Sequence, residues 1–215
     1  KKQVMHQIGP DGGLLNSPAP IQELVIAPGE RADVIIDFSG HQAGDELIVQ
    51  NDAPAPFPSG RPRARAGGFP LPEIMKFRVT GATAPGWTPP SGGLRLSKPA
   101  IDPANLTPVA WDRYLTLVEI LGPQGPLVAL LNYVYWDEGE AHPQFQEQPG
   151  VNSVERWHLI NLTGDTHPIH LHLVQFQVLG SQALLGDGMG GFLNEVDPAA
   201  PYLPPDDTLS GWKDT

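Results

Sequence analysis

The sequence predicts an all-β protein, and three observations carry that prediction. Its 25 prolines and 24 glycines make up more than a fifth of 215 residues, and they fall between short apolar runs instead of forming one low-complexity block. Punctuation of that kind suits many short strands joined by turns, in a sandwich or a barrel. Several of the runs alternate apolar and polar residues, the period of a half-buried strand. The most distinctive run, Thr166-His167-Pro168-Ile169-His170-Leu171-His172-Leu173, also alternates from Ile169, and the residues that follow it read as a buried strand.

Taken in order, residues 3–8 alternate weakly and enter Gly9-Pro10-Asp11-Gly12-Gly13. Glycine supplies positive φ there and proline presets its own, so a hairpin-like corner is expected. Strands follow over 21–26 and 32–38, separated by Ala27-Pro28-Gly29-Glu30-Arg31, and over 47–50. Residues 53–72 are thick with Pro, Gly, Ala and Arg and read as a surface loop. Residues 73–80 alternate again, with Ile74, Lys76 and Arg78 on one face and Met75, Phe77 and Val79 on the other. The proline-rich stretch 81–110 reads as a linker between a first domain, 1–80, and a second, 111–215. In the second, strands are expected over 113–120, 127–135, 154–162 and 169–179, with the turn Gly122-Pro123-Gln124-Gly125-Pro126 between the first two.

Composition excludes several classes of function. Thirteen basic against 24 acidic residues give a formal net charge of -11, which disfavours nucleic acid or an anionic membrane as partner. Without cysteine there is no disulfide, no zinc finger and no thiolate nucleophile, and a blue-copper site that uses a cysteine sulfur cannot be completed by these residues alone. No apolar run approaches the roughly 18 residues of a membrane helix. Basic Lys1-Lys2 is followed by no apolar stretch, so the sequence carries no signal-peptide pattern. Its first residues read as the inside of a folded unit, and Gly211-Trp212-Lys213-Asp214-Thr215 reads as the middle of one.

The histidine run carries the chemistry. Three of the seven histidines fall within six positions. In an extended strand His170 and His172 share one face about 6–7 Å apart, with Leu171 and Leu173 on the other. Pro168 cannot donate to a ladder and pushes His167 into an extended or turn conformation, which frees it to aim elsewhere. The expectation is one ligand for one metal at the strand mouth and two ligands along the strand. Imidazole suits copper, zinc, iron and nickel alike. His158, with no second ligand type at strand spacing beside it, reads as structural. Gly186-Asp187-Gly188-Met189-Gly190-Gly191 has the glycine spacing of a dinucleotide loop, but four prolines break the helix that should follow, so it reads as a flexible loop. The sequons at Asn105 and Asn161 decide nothing, and the second reads as buried. A zinc hydrolase or cupin-type site would need a carboxylate beside the histidines, for which Asp165 is the nearby candidate.

Three stretches resemble the multicopper oxidases, in particular the branch of bacterial spore-coat laccase, bilirubin oxidase and phenoxazinone synthase. They are Ile8-Gly9-Pro10-Asp11-Gly12-Gly13 with Ala27-Pro28-Gly29-Glu30-Arg31-Ala32-Asp33-Val34, then residues 166–173, then residues 211–215. The resemblance implies cupredoxin-like Greek-key β-sandwiches, with 1–80 as the end of the second of three domains and 111–215 as the start of the third. By position, His167 resembles a ligand of the type 1 copper, where the donor is oxidised, His170 one of the type 2 copper, and His172 one of a copper in the type 3 pair. The implied reaction is one-electron oxidation of phenolic, aminophenolic or bilirubin-like donors at the type 1 copper, coupled to reduction of dioxygen to water at the trinuclear cluster. Thr163, Gly164, Asp165 and Thr166, just before His167, are where donor contacts are expected. The family also needs a His-Cys-His segment and paired histidines from its first domain, which the resemblance implies lie on another chain or elsewhere on the parent chain. The 215 residues alone are then not expected to turn over. The resemblance further implies a secreted, periplasmic or spore-coat location. The competing expectation is a cupredoxin-like fragment that binds copper or serves as a scaffold without catalysis.

Overall fold

The computed structural model describes residues 2–54, 57, 72–81, 88, 111–123, 125–135 and 147–215. The arginine-rich loop lies almost wholly outside the described residues, as do the linker, except Gly81 and Thr88, and the Asn105 sequon. Among the described residues there are strands and turns and no helix, as the sequence predicts. The chain divides into two compact units: one comprises residues 1–100, 167–179 and 204–215, the other residues 101–166 and 180–203. The first unit thus takes in the histidine run from His167 and residues 204–215.

In the first unit, β1 (Met5–Pro10) is the centre of a three-stranded antiparallel sheet, between β2 (Ala19–Ile21) and β3 (Ala32–Ile36). The turn after β1 is the expected corner: Gly13 N–H donates to the Pro10 carbonyl at 2.7 Å, and Asp11 and Gly12 have φ of 22° and 78°. The strand expected over 21–26 ends at Ile21, because the β1 partner of Ile21 is Met5, where β1 itself begins. Val25 and Ile26 are left exposed. Leu15 and Ala19 are buried beside this sheet.

A second antiparallel pair joins β4 (Glu46–Gln50) to β5 (Glu73–Arg78). The alternation read from the sequence holds here. Phe77 packs on Phe38 with ring centroids 5.2 Å apart. On the opposite face Lys76 and Arg78 both reach Glu46, at 2.9 and 2.7 Å. These exposed pairs fix register more than they stabilise, each contributing about 0–1 kcal/mol.

In the second unit, the 12-residue β6 (Trp111–Gly122) lies between antiparallel β7 (Gly125–Leu131) and parallel β8 (Glu155–Asn161). Leu115 is its buried apolar residue. β7 stops at Leu131, short of the expected 135, because Asn132 and Tyr133 turn to φ of 52° and 64° and the Asn132 side chain accepts the Thr116 N–H at 2.8 Å. The hairpin of β9 (Leu184–Gly186) and β10 (Phe192–Val196) was not legible in the sequence. Its turn is the glycine-rich loop, where the Asp187 carboxylate accepts the backbone N–H groups of Met189 at 2.7 Å and Gly191 at 2.9 Å. The loop read as flexible is therefore a closed, hydrogen-bonded turn.

Parallel pairing of β6 with β8 places Asp112 opposite Arg156 and Tyr114 opposite His158. Arg156 reaches Asp112 at 2.5 Å, His158 Nε2 lies 3.0 Å from the same carboxylate, and the His158 ring stacks on Tyr114 at 4.5 Å. This is the structural role expected of His158. The Arg156 guanidinium, and then His158, pull the Asp112 carboxyl down from 3.8 to about 2. A carboxyl whose folded pKa is depressed stabilises the fold above its unfolded value and loses that contribution as pH falls from about 3.8 to about 2. Asp112→Asn is therefore expected to flatten the acid limb of the stability profile in that window and to change little near neutrality. Urea midpoints of both proteins across the window check it.

Candidate metal centre

The three stretches that carry the resemblance, the second from His167 onward, meet in the first unit. The Asp11 side chain is 1% exposed and that of Lys213 is 5% exposed. Lys213 Nζ lies 2.8 Å from Glu30 Oε1 and 3.4 Å from Asp11 Oδ2, so the buried ammonium sits between two carboxylates. The other Asp11 oxygen accepts the Arg31 N–H at 2.6 Å. Buried charges persist where they are paired and hydrogen-bonded in this way. Residues 208–211 join the same assembly: Gln7 donates to the Thr208 carbonyl and Asn16 to that of Ser210.

Gly13 packs directly against the Trp212 backbone. A β-carbon on Gly13 would drive into the Trp212 carbonyl. Gly13→Ala is expected to cost about 1–3 kcal/mol through overpacking. A urea titration would register it as a lower midpoint with an unchanged slope.

On this base lies the histidine run. The Leu171 N–H donates to the Asp214 carbonyl at 2.8 Å, and Phe176 and Lys213 exchange backbone hydrogen bonds at 2.8 and 3.0 Å. Those are its ladder bonds, so the strand expected over 169–179 does not form: the run is irregular, with one isolated bridge at Phe176. The physical reason is at Leu173, whose φ of 74° breaks the alternation and leaves its side chain fully exposed instead of packed behind the histidines.

His170 and His172 nevertheless remain neighbours. Their ring centroids are 4.8 Å apart at 63°. Both line an open cleft of about 320 Å³ together with Leu171, Leu173, Val174, Gln175 and Asp214. His170 Nδ1 lies 2.9 Å from the Asp214 carbonyl oxygen and 3.1 Å from Thr215 Oγ1. A carbonyl only accepts, so Nδ1 carries a proton, and in the neutral ring Nε2 is then the nitrogen that can ligate a metal. His167 is half-buried, and among the described residues it is not brought into a group of three metal-ligating side chains with the other two.

Charge complementarity holds the cleft's floor. Arg31 Nη2 donates to Asp214 Oδ2 at 2.8 Å. That hydrogen bond is the main cause holding the Asp214 carboxyl below its ordinary range. Neither Arg31 nor the Asp214-Thr215 pair was singled out from the sequence as part of the site. Their partners are more than 180 residues away along the chain, and only the joint occurrence of the three motifs pointed to them.

The loop before His167 is itself ordered. The Thr163 and Asn161 side chains close a turn with the Asp165 carbonyl, Thr163 Oγ1 donating to Asn161 Oδ1 at 2.8 Å and Asn161 Nδ2 to Asp165 O at 2.6 Å. Thr163 is buried, Asp165 half-buried, and Gly164 and Thr166 are exposed.

Among the described residues no group of three or more His, Cys, Asp or Glu side chains is placed to hold a metal, but two adjacent imidazoles, one with its Nδ1 on a carbonyl, fit copper as part of a ligand set. Residues 131–200 match the family model of the multicopper oxidases. The laccase of Bacillus subtilis (strain 168) is 35% identical over 215 residues, covering 97% of this chain and 37% of the relative. A Bacillus stratosphericus laccase is 34% identical over 97% of this chain and 38% of its own length. Among solved structures, the 2F4 variant of the McoA multicopper oxidase from the hyperthermophile Aquifex aeolicus aligns with a TM-score of 0.61 at 28% identity, over 99% of this chain and 42% of that one. The chain belongs to the multicopper oxidase family, and its all-β strands are pieces of that family's cupredoxin-like architecture. It spans a little over a third of the length of the curated relatives it matches.

Proposed function

We propose that this chain supplies copper ligands to an oxidase that couples one-electron oxidation of phenolic, aminophenolic or bilirubin-like donors to the reduction of dioxygen to water. The observation that carries the reading is the His170 and His172 pair, with the His170 proton committed to Nδ1. His167 is the ligand assigned to a type 1 copper, His170 to a type 2 copper, and His172 to one copper of a type 3 pair. Bound copper supplies the one-electron steps between donor and dioxygen. The chain's own contribution is to hold the His170 imidazole in one tautomer and one orientation, beside His172, on a base of ion pairs. The remaining ligands, a His-Cys-His segment and the first-domain histidines, come from another chain or from other parts of the same parent chain.

Copper analysis of the protein in its complete assembly tests this, together with its visible spectrum and its dioxygen uptake with a phenol. Expected are bound copper, an intense blue absorption and donor-dependent uptake. A colourless, copper-free assembly would instead leave a cupredoxin-like scaffold.

Donor contacts are assigned to the loop of Thr163, Gly164, Asp165 and Thr166. Its exposed part, Gly164 and Thr166, offers the surface a donor meets, while Thr163 holds the turn closed. Thr166→Val is expected to raise the Michaelis constant of a phenolic donor about fivefold, the equivalent of one lost hydrogen bond of about 1 kcal/mol. Unchanged constants across a panel of donors would remove the loop from the donor site.

A further inference from the structure

His170 is reached by a chain of contacts that begins far away in sequence. The Arg31 backbone is pinned by Asp11, and its guanidinium forks. Nη1 donates to the Gly29 carbonyl at 2.9 Å and to Thr215 Oγ1 at 3.2 Å, while Nη2 donates to Asp214 Oδ2 at 2.8 Å. The Thr215 hydroxyl donates to the other Asp214 oxygen at 2.9 Å. Asp214 is thus held on both carboxylate oxygens. Its carbonyl in turn accepts from Leu171 N–H and from His170 Nδ1, fixing both the backbone of the histidine run and the ring.

We propose that Arg31 and Thr215 are positioning residues for His170, setting the tautomer and aim of its imidazole and with them its hold on copper, Arg31 through Asp214 and Thr215 both through Asp214 and by its own hydroxyl 3.1 Å from Nδ1. The inference rests on the reading of His170 as a copper ligand. A ligating histidine commonly donates its second ring nitrogen to a carbonyl or carboxylate, and loss of such a partner typically costs about 10–100-fold in metal affinity. What is particular here is that the acceptor carbonyl is placed by a guanidinium reaching three acceptors at once. Lysine, a single point charge on a flexible stem, cannot reproduce that fork.

The test uses the copper-loaded protein in its complete assembly, with the variants Arg31→Met, Arg31→Lys and Thr215→Val. The readouts are loss of type 2 copper to a chelator, followed by electron paramagnetic resonance, and the blue type 1 absorption as a control for folding. Arg31→Met is expected to release type 2 copper about 10–100-fold more readily with the blue absorption retained. Arg31→Lys should recover part of the loss, and Thr215→Val should shift retention in the same direction by a smaller factor. If Arg31→Met does not fold, Thr215→Val decides the matter. Type 2 copper held as in the wild type by Thr215→Val, and by Arg31→Met where it folds, overturns the inference alone. A wild-type protein without copper overturns the proposed function and this inference with it.

Discussion

Replacing either His170 or His172 by alanine in the copper-loaded protein is expected to lower dioxygen reduction by more than about 100-fold. Loss of a group that merely orients a ligand typically costs about 10–100-fold in affinity or activity, and loss of the ligand itself costs more. The two rings meet edge-on with centroids 4.8 Å apart, so a denaturant titration beside metal analysis separates missing copper from a lost fold in each variant. His158→Ala is the matched control. That ring is spent on Asp112 and Tyr114, and its removal should leave copper content unchanged. Oxygen-electrode rates and metal analysis on the three variants give the answer. Full activity in His170→Ala or His172→Ala would end the assignment of these residues as ligands.

The second large effect is expected at Lys213, which looks remote from the chemistry. Lys213→Met removes the ammonium from between Glu30 and Asp11 and leaves the Asp11 carboxylate, 1% exposed, without its cationic partner. Breaking a buried pair from one side typically costs about 3–5 kcal/mol, because the surviving charge stays buried and uncompensated. Arg31 offsets part of this, through its N–H on Asp11 and its guanidinium 3.6 Å from the same carboxylate, so a loss of about 3 kcal/mol is expected. Adding Asp11→Asn should recover part of it, since no unpaired charge then remains at position 11. Denaturant titrations of the single and double variants measure both. Equal stability of Lys213→Met and wild type would show that the pair carries no weight in the fold.

How much of this was readable beforehand depends on whether the deciding interaction was local. Alternation and turn residues are local properties, and they located β1, β3, β4, β5, β6 and β8 closely. Pairing is not local. Residues 21–26 have the pattern of a strand, yet Val25 and Ile26 find no ladder because β1 does not extend to meet them. The histidine run alternates His and Leu over four positions, but its backbone partners are Lys213 and Asp214, and they do not support a continued ladder past the kink at Leu173. β10 was hidden by the prolines from Pro198 onward, although it ends at Val196, before the first of them. For the site, residue type and spacing were enough to single out His170 and His172. The base beneath them was not legible, because Asp11, Arg31, Lys213 and Asp214 are ordinary charged residues until the fold brings the two ends of the sequence together.

The bonds from Arg31 to Asp214 and Thr215 span 183 and 184 positions of sequence. Contacts of such separation close late, after shorter loops have formed, since the entropy of bringing distant segments together must be met first. During synthesis the Gly9–Gly13 corner and Arg31 emerge long before the segment they clasp. The aim of the His170 ring is therefore set only once residues 214 and 215 have docked, and a chain stalled before that step would present a histidine run with nothing to aim it.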